Sequence, residues 1–277
     1  MKFINKTLFI SLIMRQRIAF IGAGKMASAL ISCIHSKKIA KSIIASDKND
    51  KNLINIKKQF RIKTKKDNKE AVKSSDIVFV CVKPQDIDAV LDEIKYVVKS
   101  QLIVSIAAGI MLKHLESKLK NKRIIRVMPN INCLAGEMAA GFSAGRYATK
   151  EDVKIVSKIL NSAGVAFLMK EDLLDAVTAV SGSGPAFFAY FIKAFEEAGI
   201  KNGLPSETAF KLSAQTALGT GKLLLEKNLP SDELIAMVAS KKGTTVAGLN
   251  ILKEHKVKGV LIKTIDAAVK RSRELGK

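Results

Sequence analysis

Residues Arg17-Ile18-Ala19-Phe20-Ile21-Gly22-Ala23-Gly24-Lys25-Met26-Ala27 constrain the fold of this chain more than any other stretch. Ile18 to Ile21 carry no charge, which suits a strand buried on both faces. Gly22 and Gly24 break the run, and Met26-Ala27-Ser28-Ala29-Leu30-Ile31 continues it in helix-compatible residues. Strand, tight turn and helix therefore follow without spare residues. Gly22 allows the sharp turn, Gly24 lacks the Cβ that would hold a pyrophosphate off the backbone, and Ala27 lets the helix pack closely on the strand. A helix N-terminus adds free N–H groups and partial positive charge. A G-x-G-x-x-A alone is a weak signal. On a strand-to-helix junction, with Asp47 ending a second apolar run about twenty residues on, it points to dinucleotide binding.

The same alternation continues. Strands are expected at Ser42-Ile43-Ile44-Ala45-Ser46, at Arg61-Ile62-Lys63, over 76–82, over 102–106 and over 124–128. Two later edge strands are expected at 139–143 and 165–168. Helical spacing covers 86–98, 112–119 and 151–163. Five or more apolar strands alternating with helices predict a doubly wound, mostly parallel Rossmann-type sheet, with ligands at the carboxyl ends of the strands. Asp47 there suits the ribose hydroxyls of NAD, whereas Lys48 suits the 2′-phosphate of NADP; the sequence points both ways.

From Lys170 onward strand-like runs vanish. Helices are expected over 173–180, 186–198, 207–226, 232–238, 246–254 and 260–275, with Ser231 as an N-cap. Ala186-Phe187-Phe188-Ala189-Tyr190-Phe191-Ile192 is apolar around much of its girth, more than a small helical unit can bury alone, so a partner subunit is expected. The chain thus divides into a dinucleotide-binding domain over 17–169 and an all-helical substrate and dimerisation domain over 170–277. Residues 1–16 are expected to be a disordered extension, or Met14 is expected to be the natural start, since the first strand begins just after it. Their apolar run is too short to span a bilayer and lacks a small-residue cleavage site.

The formal charge of +22 over 277 residues is the outlier in an otherwise ordinary globular composition. It comes mostly from scattered lysines, densest at Lys63-Thr64-Lys65-Lys66, without the arginines and interleaved aromatics of a nucleic-acid surface. It reads as a solvated surface that draws in small anions. Three cysteines and three histidines are too scattered for a disulfide framework or a metal site, which fits a reducing cytoplasm.

Taken in order, Gly22-Ala23-Gly24-Lys25-Met26, Val82-Lys83-Pro84, Ser105-Ile106-Ala107-Ala108-Gly109, Arg126-Val127-Met128-Pro129-Asn130, Ser181-Gly182-Ser183-Gly184-Pro185-Ala186, Gly203-Leu204-Pro205 and Ser240-Lys241-Lys242-Gly243-Thr244-Thr245 closely resemble the pyrroline-5-carboxylate reductases. The resemblance runs from about Arg17 to Leu275. Each block is weak alone and the ordered set is specific. Two departures stand out. The family usually reads Ser-Pro-Gly-Gly-Thr-Thr in the last block, and Met-Pro-Asn-Thr-Pro where this chain has Met128-Pro129-Asn130-Ile131-Asn132.

The resemblance implies hydride transfer from NADPH, with NADH as the alternative, to C5 of the cyclic imine 1-pyrroline-5-carboxylate, the last step of proline synthesis. It implies a cytoplasmic homo-oligomer built from dimers through the helical domain, with no metal, nucleic acid or membrane. Gly22, Ala23, Gly24, Lys25, Met26 and Ala27 would hold the pyrophosphate. Ser46, Lys48 and Asn68 would read the adenosine half. Cys81, Val82, Lys83 and Pro84, with Ile106, Ala107 and Ala108, would line the nicotinamide half, although Lys83-Pro84 also suits a plain strand end. Gly243, Thr244 and Thr245 would bind the substrate carboxylate at a helix start, or the threonines would simply cap that helix. Glu171 would lie near the substrate ring, or be a surface carboxylate. Thr178 and Ser183 would offer hydroxyls to the ring nitrogen, or their segment would be only a helix break. A β-hydroxyacid dehydrogenase shares the two-part plan but relies on a lysine acid-base in its helical half. A non-catalytic dinucleotide-binding regulator is the further alternative.

Overall fold

The structure, a computed structural model, describes residues 16–276; the expectation for residues 1–15 lies outside the described residues. Eight strands form one sheet in the order β3-β2-β1-β4-β5-β6-β7-β8. They are β1 Arg17–Ile21, β2 Ser42–Ser46, β3 Lys63–Lys65, β4 Ile77–Val80, β5 Leu102–Ser105, β6 Arg123–Met128, β7 Met138–Ala144 and β8 Gly164–Leu168. Pairing is parallel from β3 through β6. β7 runs antiparallel to β6, and β8 is parallel to β7. This is the expected doubly wound sheet, with one correction: β7 lies inside it, between β6 and β8, so only β8 of that pair is an edge strand.

The helices of this part are α1 Lys25–Ser36, α2 Asp50–Phe60, α3 Asn68–Lys73, α4 Ile87–Ile94, α5 Leu112–Lys118 and α6 Lys150–Asn161. Two apolar layers sandwich the sheet, as side chains alternating along each strand require. Ile18, Phe20 and Phe79 belong to one layer with Leu30 and Ile34 of α1 and Ile159 of α6. Ala19, Ile21, Val78 and Val80 belong to the other with Leu91 and Ile94 of α4. Phe20 and Phe79 stack with ring centroids 5.0 Å apart.

Local chemistry sets the ends of the helices. Asn49 accepts the Lys51 N–H at the start of α2, and Asp67 accepts the Lys69 N–H at the start of α3. Thr149 and Asp152 form a reciprocal capping box on α6. Arg61 ends α2 in the left-handed region (φ 53) with its N–H on the Lys57 carbonyl. It therefore cannot open a strand, and the strand expected at 61–63 forms two residues later. Helix 86–98 is likewise shorter than expected: a 3-10 turn at Pro84–Asp86 leads into α4, which ends at Ile94.

Beyond β8, the helix expected over 173–180 breaks into α7 (Leu174–Val177) and a π-helical turn, Thr178–Gly182. The hydroxyls of Thr178 and Ser181 bond the Leu174 and Val177 carbonyls there, which loosens the regular ladder. Then follow α8 Gly184–Lys201, α9 Ser206–Lys227, α10 Ser231–Val238, α11 Thr244–Glu254 and α12 Val257–Leu275. Ser231 is the first residue of α10 and not its cap, because the Glu233 and Leu234 N–H groups bond the Pro230 carbonyl. By compactness, the described residues up to Gly182 and from Val269 onward form one unit, and Ser183–Ala268 the other. Within the second unit Phe188, Tyr190, Phe195, Leu225 and Met237 are each about two-thirds or more exposed. The helices there leave large apolar faces uncovered.

Candidate active site

The sheet register brings the expected coenzyme residues to one rim. Ser46, Ile21, Val80 and Ser105 lie level on adjacent strands, so Asp47, Gly22, Cys81 and Ile106 follow side by side. The Gly22 N–H bonds the Ser46 carbonyl (2.8 Å) and the Cys81 N–H the Ile21 carbonyl (2.7 Å). Gly22 has φ +91, and a Cβ on it would stand 2.7 Å from the Cys81 carbonyl oxygen. Only glycine fits this turn. Gly24 differs, since a Cβ there would meet open space. The side it leaves bare faces outward, at the N-cap of α1, which has no side-chain cap and no acidic residue in its first turn. An uncapped helix start with an open approach is what a pyrophosphate requires, so these residues fit the group.

This rim opens on a cleft of about 740 Å³ lined by Gly22, Gly24, Asp47, Lys48, Asn68, Cys81, Val82 and Lys83 among others. Ala23 and Ala27 are buried in the fold beneath it, as Ala107 is at the end of β5. Asp47 does not stand free for a ribose. Its Oδ2 accepts the Ala23 N–H (2.7 Å) and Asn52 Nδ2 (3.0 Å), and its Oδ1 accepts the Asn49 N–H (2.8 Å). Ser46 is fully buried, and its Oγ donates to Asn68 Oδ1 at 2.7 Å. Lys48, 84% exposed in its side chain, pairs with Asp86 across the rim (2.8 Å). Burial holds the Cys81 thiol far above its usual range, which leaves it neutral.

Sequence reasoning missed Asn52, Asp86 and Glu93, all lining this cleft. Asp86 and Glu93 lie on the stretch read only for its apolar helical spacing, and their position two and nine residues beyond Pro84 was the available signal.

Glu171 is not an open surface carboxylate. Its Oε1 accepts from Arg126 Nη1 and from the Leu112 N–H, both at 2.7 Å, and the two charged side chains are 18% and 7% exposed. The single arginine inside the apolar run Ile124-Ile125-Arg126-Val127-Met128 was the sequence signal for this pair. Asn130, also buried, ties the next loop to the π-helical turn: its Nδ2 donates to the Ser181 carbonyl (3.1 Å) and its Oδ1 accepts the Ala139 N–H (3.0 Å). Thr178 spends its hydroxyl proton on the Leu174 carbonyl (2.8 Å), leaving its oxygen as an acceptor. Ser183 occupies the N-cap of α8 without a side-chain cap bond.

In the second unit, α11 begins at Thr244, two residues earlier than expected. Gly243 is its N-cap, with no side-chain cap and no acidic residue in the first turn. The threonines therefore do not cap it through their hydroxyls, and the first N–H groups stay open to an anion. A Cβ on Gly243 would lie 2.4 Å from Ser240 Oγ. Lys242, at the position where the resemblance has glycine, takes φ 60.

The fold and the glycine-turn cleft define a dinucleotide-dependent oxidoreductase with a helical second part. Residues 171–275 match the family described as pyrroline-5-carboxylate reductase dimerisation, and residues 17–109 match NADP oxidoreductase coenzyme F420-dependent. The pyrroline-5-carboxylate reductase of Methanosarcina acetivorans is 40% identical over 266 residues, covering 95% of this chain and 98% of that protein. That of Pseudomonas aeruginosa is 38% identical, covering 94% and 96%. The solved Coxiella burnetii enzyme superposes with a TM-score of 0.90 at 30% identity, covering 95% of this chain and 99% of that one. The Plasmodium falciparum enzyme, solved with NADP bound, gives 0.85 at 30% identity, covering 96% and 100%. The chain belongs to the pyrroline-5-carboxylate reductase family.

Proposed function

We propose that the protein reduces 1-pyrroline-5-carboxylate to L-proline with NADPH. The observation that carries this reading is the uncapped glycine turn on an open cleft, in a chain that matches its family along nearly its whole length. Bound reduced nicotinamide supplies the hydride that C5 of the cyclic imine accepts. The imine nitrogen, protonated beforehand from solvent, keeps its proton and becomes the ring amine, so no strong acid is needed in the protein. The work left to the chain is binding and orientation.

The turn Gly22–Ala27 and the start of α1 take the pyrophosphate. Lys48 and Asn68 take the adenosine half, with Ser46 acting through Asn68. Cys81–Pro84 and Ile106–Ala108 take the nicotinamide half. The open start of α11 at Gly243, Thr244 and Thr245 takes the substrate carboxylate, and Thr178 and Ser183 are the hydroxyls for the ring nitrogen. Glu171 contributes its charge to the substrate region as the buried partner of Arg126.

The exposed apolar faces of the second unit and the match to a dimerisation family support a dimer or larger assembly. The finer reading is a homo-oligomer built from dimers through residues 170–277, acting in the cytoplasm. No helix among the described residues is long and apolar enough to cross a membrane.

The test is direct: purified protein mixed with pyrroline-5-carboxylate should consume NADPH and form an equal amount of proline. Absence of proline from folded protein that binds NADPH would refute the assignment. The reading as a β-hydroxyacid dehydrogenase is checked in the same assay with 3-hydroxy acids and NADP, where no turnover is expected.

A further inference from the structure

One carboxylate in the dinucleotide cleft is left unexplained by the reaction. Glu93, half-buried on α4, lines the cleft, and its Oε2 accepts from Asn68 Nδ2 at 2.8 Å. Asn68 Oδ1 in turn accepts from the buried Ser46 hydroxyl. Ser46 is the last residue of β2, and its carbonyl holds the Gly22 N–H. A chain of hydrogen bonds thus runs from α4 through Asn68 to the strand end that anchors the glycine turn.

The chemistry of the three groups decides which of them sets the order. A serine hydroxyl donates or accepts equally well, whereas a carboxylate only accepts. If the Asn68 amide were reversed, Ser46 would still be satisfied, but the amide oxygen would face the Glu93 carboxylate, two acceptors with no proton between them. Glu93, and not Ser46, fixes which way the amide points. One of the two amide N–H groups goes to Glu93, and the other remains as a donor for a ligand.

We propose that Glu93 is a positioning residue for the coenzyme: it holds the Asn68 amide in one orientation, so that a donor of fixed direction meets the adenosine half. This rests on the reading of Asn68 as an adenosine-half residue given above. Glu93 itself need not touch the coenzyme.

The experiment is a double-mutant cycle on the full chain, measuring steady-state KM for NADPH, KM for the imine, and kcat. Glu93→Ala should raise the NADPH KM about threefold to tenfold, the factor one oriented hydrogen bond supplies, with kcat and imine KM unchanged. In an Asn68→Ala background the same substitution should add nothing. Glu93→Gln keeps the volume and a hydrogen bond but accepts either amide orientation, so about a twofold rise is expected; it carries the test if Glu93→Ala melts early. An equal rise in both backgrounds, or no rise from Glu93→Ala while Asn68 is intact, would overturn the proposal. An Asn68→Ala enzyme with unchanged NADPH KM would remove the reading of Asn68 and the proposal with it. Proline formation by the unaltered protein, measured alongside, checks the activity separately.

Discussion

Lys48 Nζ lies 2.8 Å from Asp86 Oδ1, an ion pair that joins the end of β2 to the start of α4 across the rim of the dinucleotide cleft. Asp86 raises the pKa of Lys48, chiefly by accepting its hydrogen bond. The same ammonium is the group proposed above for the adenosine half, and if it takes a 2′-phosphate, Asp86 competes with that phosphate for it. Asp86→Asn should lower the KM for NADPH by about twofold to fivefold, the scale of one exposed ion pair, and leave that for NADH unchanged. Lys48→Ala should do the reverse to NADPH alone. Parallel kinetics with the two coenzymes decide it, and equal shifts for both would exclude a 2′-phosphate role.

Arg126 and Glu171 form the buried pair of the first unit, joining β6 to the backbone at the start of α5. Removing one member leaves a charge with no partner in a low-dielectric setting. Glu171→Ala should cost about 3 kcal/mol or more in thermal or urea unfolding. Arg126→Met with Glu171→Gln together should cost much less than the sum of the separate changes. Additive losses would show that the two residues act independently.

The open start of α11 makes Thr245 the first residue to alter for substrate binding. Thr245→Ala should raise the imine KM about tenfold with NADPH affinity unchanged. A fall in coenzyme affinity instead would misplace the carboxylate site.

Lys242 pays for its left-handed backbone with roughly 1 kcal/mol of strain. Glycine relieves that strain but loosens the unfolded chain by a similar amount. Lys242→Gly should therefore leave the melting temperature nearly unchanged. It should raise the imine KM about twofold and flatten its salt dependence, since one cation beside the proposed carboxylate site is lost. A large change in stability would contradict this balance.

Asp76 accepts from the Arg17 side chain and backbone, and the side-chain hydrogen bond is the main cause of its lowered pKa. A carboxyl depressed in the folded state adds stability that is fully present above its unfolded value, near 4, and is lost as pH falls through the folded value. Unfolding of the wild type and of Asp76→Asn should differ at pH 6 and converge as the pH drops toward 2. A gap that widened on acidification would contradict the sign.

The alternating apolar runs and the glycine turn were legible in the chain because buried parallel strands need uninterrupted apolar side chains and a tight turn needs glycine, and both requirements are local. Ser42-Ile43-Ile44-Ala45-Ser46 was read to the residue for this reason. Arg61 was misread because its left-handed cap follows from how α2 ends, which apolar spacing does not record. The direction of β7 was hidden because strand partners are chosen by packing across the sheet.

The sequence by itself determined the fold class, the place of the glycine turn and the family, since each rests on residue types in fixed order along the chain. Only the tertiary structure decided which partners Asp47, Ser46, Glu171 and Glu93 take. Each is a polar group with at least one partner distant in sequence, and a polar side chain near the interior is ordered by the donors and acceptors that the fold brings to it.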